Sequence, residues 1–369
     1  MTSAFEQFWQ RVDAAVRRTD EYDLPANVTA EGKRYALQLA KLALDIHVDN
    51  QDPVRPLITE MIGPTIKWGW DNPYTTYHYA PLDGATTYRF TGARNESIYL
   101  GVTIYGEGNE RGGDMPKFVL GSFNDNDMTI GADGTFEIRL DPNVTTPSPG
   151  VIPLPPGSTS MIVRQYFSSP NTQTAALVKL EATPPAGPPP LLTESALIER
   201  IEAASRFFDG MWGMSDAVVS RITKAPANEF HPPLPGGTDM QGKPSGYMYP
   251  TVDNLYVFGN YEVQDDEILI VEVTPPPCRY WSFYLGTVFQ QSHPYGSDFG
   301  LYIRDNATHG ADGSVHFHIS KENPGVDNWL GTAGHVRGMM AMRFLLAEVD
   351  SPPVPTCRLV KLSDFTSQQ

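Results

Sequence analysis

An aspartate beside an asparagine, with a tyrosine two positions further on, is a grouping able to hold and move protons. The chain carries it twice, as Asp71-Asn72-Pro73-Tyr74 and Asp253-Asn254-Leu255-Tyr256. The carboxylate can take up or deliver a proton, the amide can orient a carbonyl or hydroxyl, and the phenol can donate to developing negative charge. In the first occurrence the motif stands among Trp68, Trp70, Tyr77, His78 and Tyr79, so the polar groups lie against a wall of rings. Lining a concavity, such a mixture suits acid–base chemistry or stacking of a ring-bearing ligand. The same residues also spell an Asx turn, in which the short side chain bonds to backbone two residues on and the tyrosine packs as a strand begins. Both readings are compatible with the residues.

Two other groupings compete with it. His316-Phe317-His318 would place two imidazoles on one face of a strand, a spacing used by metal-binding barrels, with His309 or His335 as further ligands. The corresponding positions elsewhere in the chain are Glu137 and Arg139, which belong on a solvent face, so the pair is expected to be solvated and to hold no metal. Arg164 and Arg343 close two strand-like segments rich in apolar residues. A buried arginine needs a carboxylate or an outlet to solvent, and Asp71 and Asp253 are the expected partners.

These residues are positioned by a duplicated framework. Gly131-Ala132-Asp133-Gly134 and Gly310-Ala311-Asp312-Gly313 each lead into an alternating six-residue strand. Ser97–Gly101 answers Ser282–Gly286, Val163-Arg164 answers Met342-Arg343, and Leu177–Leu180 answers Leu359–Leu362, at shifts of 179 to 185 positions. Matches kept in this order imply an internal duplication. Apolar spacing of three and four predicts a helix over residues 3–20, a second opening at Thr29 and a third capped by Thr193. Strands are expected at Tyr88–Thr91, Ser97–Tyr105, Phe118–Phe123, Thr135–Leu140, Ser160–Phe167 and Leu177–Leu180. The expected organisation is an N-terminal helical cap (1–28), a first helix-plus-β-sandwich repeat (29–183), a Pro-rich linker (184–192) and a second repeat (193–369). The Gly- and Pro-rich stretch Pro226–Tyr249, holding His231 and Asp239, is long for a connection and reads either as a lid over a site or as a tolerated insertion.

Composition narrows the function. With 27 Lys+Arg against 43 Asp+Glu, the net charge of -16 disfavours nucleic acid and anionic membrane surfaces as partners. The 33 prolines and 32 glycines favour a turn-rich, mainly β body. The first residues lack the basic start and apolar run of a secretory signal, which points to a cytoplasmic protein. Cys278 and Cys357 both precede strands of the second copy and are expected to be reduced thiols. No nucleophile elbow, phosphate loop, dinucleotide fingerprint, Cys-x-x-Cys or His-Glu-x-x-His is present, so an enzyme of this sequence is expected to work without cofactor.

From Asp312-Gly313-Ser314 through Asn323-Pro324-Gly325 and Asn328-Trp329-Leu330 to Met342-Arg343-Phe344, the second copy resembles the bacterial domain-of-unknown-function family 1214. Asp71-Asn72-Pro73-Tyr74 is similar to a motif of its companion family 1254. The resemblance implies a β-sandwich or jelly-roll core with helical additions and carries no settled activity. The first copy has Val151-Ile152-Pro153 where the second has Asn328-Trp329, which suggests a site kept once per chain.

The fold expected is therefore mainly β: two related antiparallel β-sandwich or jelly-roll-like domains with peripheral helices. The function expected is a cofactor-independent acid–base enzyme, a lyase, isomerase, cyclase or hydrolase, acting on a small, largely apolar terpenoid, steroid or aromatic. Asp71 or Asp253 would be the acid or base. Tyr74, Tyr77, Tyr256, Trp281 and Trp329 would line the pocket, and Asn72, Asn254 and Asn328 would orient polar groups. The alternative is a non-catalytic module binding a sugar or apolar ligand on the same aromatic surface, and a homo-oligomer is left open.

Overall fold

Ser3 opens the first helix, α1 (Ala4–Arg18), with a reciprocal capping box in which its side chain receives the Glu6 amide and Glu6 receives its own. The computed structural model describes residues 3–169, 172–239, 241–293 and 301–366. The second helix, α2 (Ala26–Leu44), begins three residues before the expected Thr29, because Pro25 supplies the fixed φ (-53°) of the N-cap and no side chain is needed there. The long α3 (Glu194–Ile222) starts where expected, the Thr193 hydroxyl taking the Ala196 amide at 3.2 Å.

These helices form one layer, not a cap and two separate additions. Phe8 and Val12 of α1, Tyr35 and Leu39 of α2, and Phe207, Phe208 and Met211 of α3 share a single buried cluster. Tyr35 and Ser215 close it with a buried hydroxyl pair at 2.7 Å. The linker before α3 is pinned by Arg55, whose guanidinium donates to the carbonyls of Gly187 and Pro188.

The first copy contributes β1 (Thr59–Ile62), β2 (Thr75–Pro81), β3 (Thr87–Ala93), β4 (Tyr99–Gly106), β5 (Phe118–Asn124), β6 (Thr135–Asp141), β7 (Val151–Pro153), β8 (Ser158–Tyr166) and β9 (Leu177–Thr183). The second contributes β10 (Glu229–Phe230), β11 (Leu234–Pro235), β12 (Asn254–Glu262), β13 (Glu267–Val273), β14 (Tyr280–Gly286), β15 (Leu301–Ile303), β16 (Val315–Ser320), β17 (Trp329–Gly331), β18 (Arg337–Leu345) and β19 (Thr356–Lys361). Each copy folds into two stacked sheets of matching order. The larger sheets run β1-β2-β8-β4-β5 and β10-β12-β18-β14-β15, the latter with β11 also on β12; the smaller run β7-β6-β3-β9 and β17-β16-β13-β19. Even the parallel pairing that ends each smaller sheet is repeated. The duplication read from short sequence matches is thus a duplication of topology.

Register corrects two of those matches. Arg164 stands opposite Tyr77 and Gly101, and Arg343 opposite Tyr256 and Ser282. Tyr256 therefore corresponds to Tyr77, not Tyr74, and Tyr280, not Tyr284, corresponds to Tyr99. The first copy carries three extra residues between its Asp-Asn pair and the tyrosine, and such a difference in a turn leaves no trace in a short motif.

The larger sheets are buried on both faces, which removes the alternation expected of a solvent-facing strand. In β8, Met161 and Val163 face the core of their own sandwich, while Ile162 and Tyr166 face the other way. In β18, Met340, Met342 and Phe344 fill the second sandwich, while Met339 and Ala341 face outward. The outward faces meet each other and the helical layer.

Candidate functional site

The junction of the two larger sheets is rich in tyrosine and is held by reciprocal contacts. Tyr166 of the first copy packs edge-on against Tyr280 of the second, with centroids 5.3 Å apart. Asn72 donates across the junction toward Tyr280 and Ser282, and Asn254 donates back to Tyr166 at 2.7 Å. Asp71 receives the Ser292 amide and hydroxyl at 2.9 and 2.6 Å. Asp253 receives the Tyr99 hydroxyl at 2.5 Å and the Asn124 amide at 3.1 Å. Each Asp-Asn motif therefore grips the copy to which it does not belong. A bidentate pair from Arg279 to Asp125, both bonds 2.7 Å, adds an ionic tie between them.

The expected Arg–Asp pairs do not form. Arg343 donates to the Trp70 carbonyl and, at 3.0 Å, to the Tyr77 hydroxyl. Arg164 donates to the Tyr249 carbonyl and, at 3.2 Å, to Thr103. The physical reason lies in the preceding backbone: Trp70 and Tyr249 both have positive φ (59° and 51°), a conformation that turns their segments so that the carbonyls, not the aspartates, meet the guanidinium groups.

Between the two larger sheets, α3 and the segment 226–249 lies a cavity of about 340 Å³. One wall is aromatic, with Trp70, Tyr77, Tyr249, Tyr256 and Phe258. A second is aliphatic, with Ile62, Ile162, Met214, Val218 and Ile222. Of the segment 226–249, His231, Leu234, Thr238, Ser245 and Tyr247 cover it, so that stretch occupies the place of a lid. It is tied down by β10 and β11 on β12. The charged side chains of the lining are Asp71, Asp239, Arg164, Arg343 and, at an exposed position, Arg221.

Of the residues expected from sequence to be catalytic or to bind substrate, Asp71, Tyr77 and Tyr256 line this cavity. Asn72, Asn254 and Asp253 make their bonds in the junction and not in the cavity lining, and Tyr74 packs with Tyr99 and Tyr166. Trp281 does not reach it: the ring points into the second sandwich against Phe317 and His309. Asn328 and Trp329 are also remote, because β17 is the edge of the smaller sheet. The Asn328 side chain bridges the Thr308 and His316 backbones, and the Trp329 ring nitrogen bonds Ser320. The asymmetry between the copies is thus a turn-closing device on the far side of the fold. His318 bonds the Asp327 carbonyl, His316 faces Glu272, and His335 faces Glu31; among the described residues no metal-ligating side chains gather in groups of three. Both cysteines are free thiols, pushed up to about 11 and about 12 by burial.

Sequence reasoning missed Arg164, Arg343, Tyr249 and the α3 residues as cavity walls. A signal for the first two was present: an arginine at the same place in both copies, surrounded by apolar residues.

Behind Asp71 sits a buried polar cluster. Lys67 donates to the Ser292 and His293 carbonyls at 2.7 and 2.6 Å, and burial lowers the affinity of its amine for a proton, partly offset by Asp71. Burial, with His335 and Lys67 adding repulsion, pushes His293 down to about 3.

Residues 265–349 match the family described as Protein of unknown function (DUF1214), in the segment where the sequence resemblance was seen. An uncharacterized protein from Burkholderia cenocepacia has a similar structure: 27% identity, a TM-score of 0.85, and coverage of 98% of this chain and 97% of that one. A protein from Vibrio parahaemolyticus is less similar, with 11% identity, a TM-score of 0.48, and coverage of 95% and 100%. No curated protein matches the chain. No helix among the described residues is long and apolar enough to cross a membrane.

Proposed function

We propose that the protein binds a small, mainly apolar molecule in the cavity between its two copies. The observation that carries this reading is the lining: an aromatic wall from both sheets and an aliphatic wall from β1, β8 and α3, partly covered by the segment before β12, around about 340 Å³. That size and lining are those of small-ligand sites. Filling the space with side chain is the direct test. Val218→Trp, on α3 at the cavity wall, should abolish ligand-induced thermal stabilisation by ring-bearing and short-chain hydrophobic compounds while leaving the fold intact. Equal stabilisation of parent and variant would move the ligand elsewhere.

A second reading is acid–base catalysis on the same molecule, of the lyase, isomerase, cyclase or hydrolase type. The observation favouring it is a buried carboxylate, Asp71, at the cavity wall beside the phenol of Tyr77. Against it, both oxygens of Asp71 already accept from Ser292. The two readings separate with a ligand in hand: catalysis requires that the parent consume it and that Asp71→Asn bind it without consuming it.

A further inference from the structure

Two guanidinium groups stand in the wall of the cavity, 4% and 5% exposed, in a protein whose net charge is -16. Neither Arg164 nor Arg343 has a carboxylate partner among the described residues. Their partners are carbonyls and hydroxyls, which satisfy N–H groups without balancing charge. The surrounding phenols do not balance it either. Arg343 lies 5.3 and 5.5 Å from the ring centroids of Tyr256 and Tyr284, and Arg164 lies 5.7 Å from that of Tyr77. Burial raises Tyr105, Tyr166 and Tyr284 above the ordinary phenol range, so these phenols stay neutral.

The carboxylates of the cavity wall are engaged elsewhere. Asp71 accepts from Ser292, and Asp239 closes its own turn by receiving the Gln241 and Lys243 amides. The Nε of Arg343 is buried with no hydrogen-bond partner. A buried donor on an unbalanced cation is costly to maintain, and an anion that enters the cavity relieves that cost.

We infer that the cavity selects a carboxylate attached to an apolar ring or short chain, with its charged end at Arg343 and Arg164 and its body along the aromatic and aliphatic walls. This rests on the cavity reading above and names the class of its ligand. A planar carboxylate suits guanidinium donors, and a single charged end suits a cavity whose remaining lining is mostly hydrocarbon. Both arginines approach Tyr77, Arg164 over its ring at 5.7 Å and Arg343 at its hydroxyl at 3.0 Å, so both charges are presented to the same part of the cavity.

The test uses the full chain and matched probes: naphthoate, phenylacetate and octanoate, the corresponding amides, and naphthyl phosphate, measured by calorimetric titration. Carboxylates should bind more tightly than their amides by on the order of tenfold or more. That preference should disappear in Arg343→Met and be partly kept in Arg343→Lys, with circular dichroism confirming the fold of each. Arg164→Lys serves if Arg343→Met does not fold. Amides that bind as tightly as the acids would overturn the inference and leave the cavity reading standing. Binding of the phosphate in preference to the carboxylates would overturn it too. If no member of any series binds, both the inference and the cavity reading fall.

Discussion

Arg343 of the second copy donates to the phenolic oxygen of Tyr77 in the first at 3.0 Å, and the backbone N–H of Asn72 donates to the same oxygen at 3.2 Å. One hydroxyl thus joins an arginine 266 positions away to the turn that carries the first Asp-Asn motif. Tyr77→Phe would strand both donors in a buried setting while keeping the ring. The expected cost is about 1–3 kcal/mol in urea unfolding, the penalty of unsatisfied buried donors. An unchanged midpoint would mean that another acceptor replaces the hydroxyl.

The paired aspartates carry a similar expectation. Asp71→Asn replaces an oxygen facing a Ser292 donor with an amide and removes a negative charge from the neighbourhood of Lys67. Asp253→Asn removes the charge from the one oxygen that accepts from both Tyr99 and Asn124. Each variant should unfold earlier by about 1–3 kcal/mol, with Asp71→Asn the worse because its site is the more deeply buried. Parent-like melting of both would show that the motifs do not hold the copies together.

Gly32 sits in α2 where a β-carbon would come within 2.3 Å of the buried Phe289 ring. In an open helix, Gly→Ala gains up to about 1 kcal/mol. Here overpacking should dominate, and Gly32→Ala is expected to destabilise by about 1–3 kcal/mol. Combining it with Phe289→Leu should recover part of the loss, and thermal melts of the single and double variants measure the coupling.

His47 is buried against Phe207 with neither ring nitrogen hydrogen-bonded, and burial pushes it down to about 4. The unfolded chain takes up its proton near pH 6.5, whereas the folded chain does not until about pH 4. The unfolded state therefore binds more protons across this window, and stability falls as pH falls through it, by about 1.4 kcal/mol per pH unit from this group. His293 acts in the same direction down to about pH 3. His47→Phe should remove one proton from the slope, so that the variant gains on the parent as unfolding is repeated from about pH 7 to about pH 4.5. A stability difference that does not vary with pH would rule this out.

Periodicity made much of the framework legible. The strand at Thr135–Asp141 alternates in burial as its sequence alternates, and Thr193 caps α3 through its own hydroxyl. The Asp-Gly turns, the linker and the paired halves are local features, specified by residues that meet their neighbours in sequence. The candidate site was only partly legible. Asp71, Tyr77 and Tyr256 were named, but the sequence supplied no reason to exclude Trp281, because its strand is buried on both faces and hydrophobicity does not tell which face meets the cavity.

What only the tertiary structure decided is which face each central strand turns toward which partner. In β4, β8, β14 and β18 both faces are buried, so hydrophobicity loses the period of two that separates inside from outside. The sequence by itself determined two β halves, a linker, the helices and an arginine repeated in each half. That those arginines meet backbone carbonyls and a shared cavity, instead of aspartates, depends on contacts between residues more than 80 positions apart. Such contacts form only when two whole sheets dock, and no local pattern encodes them.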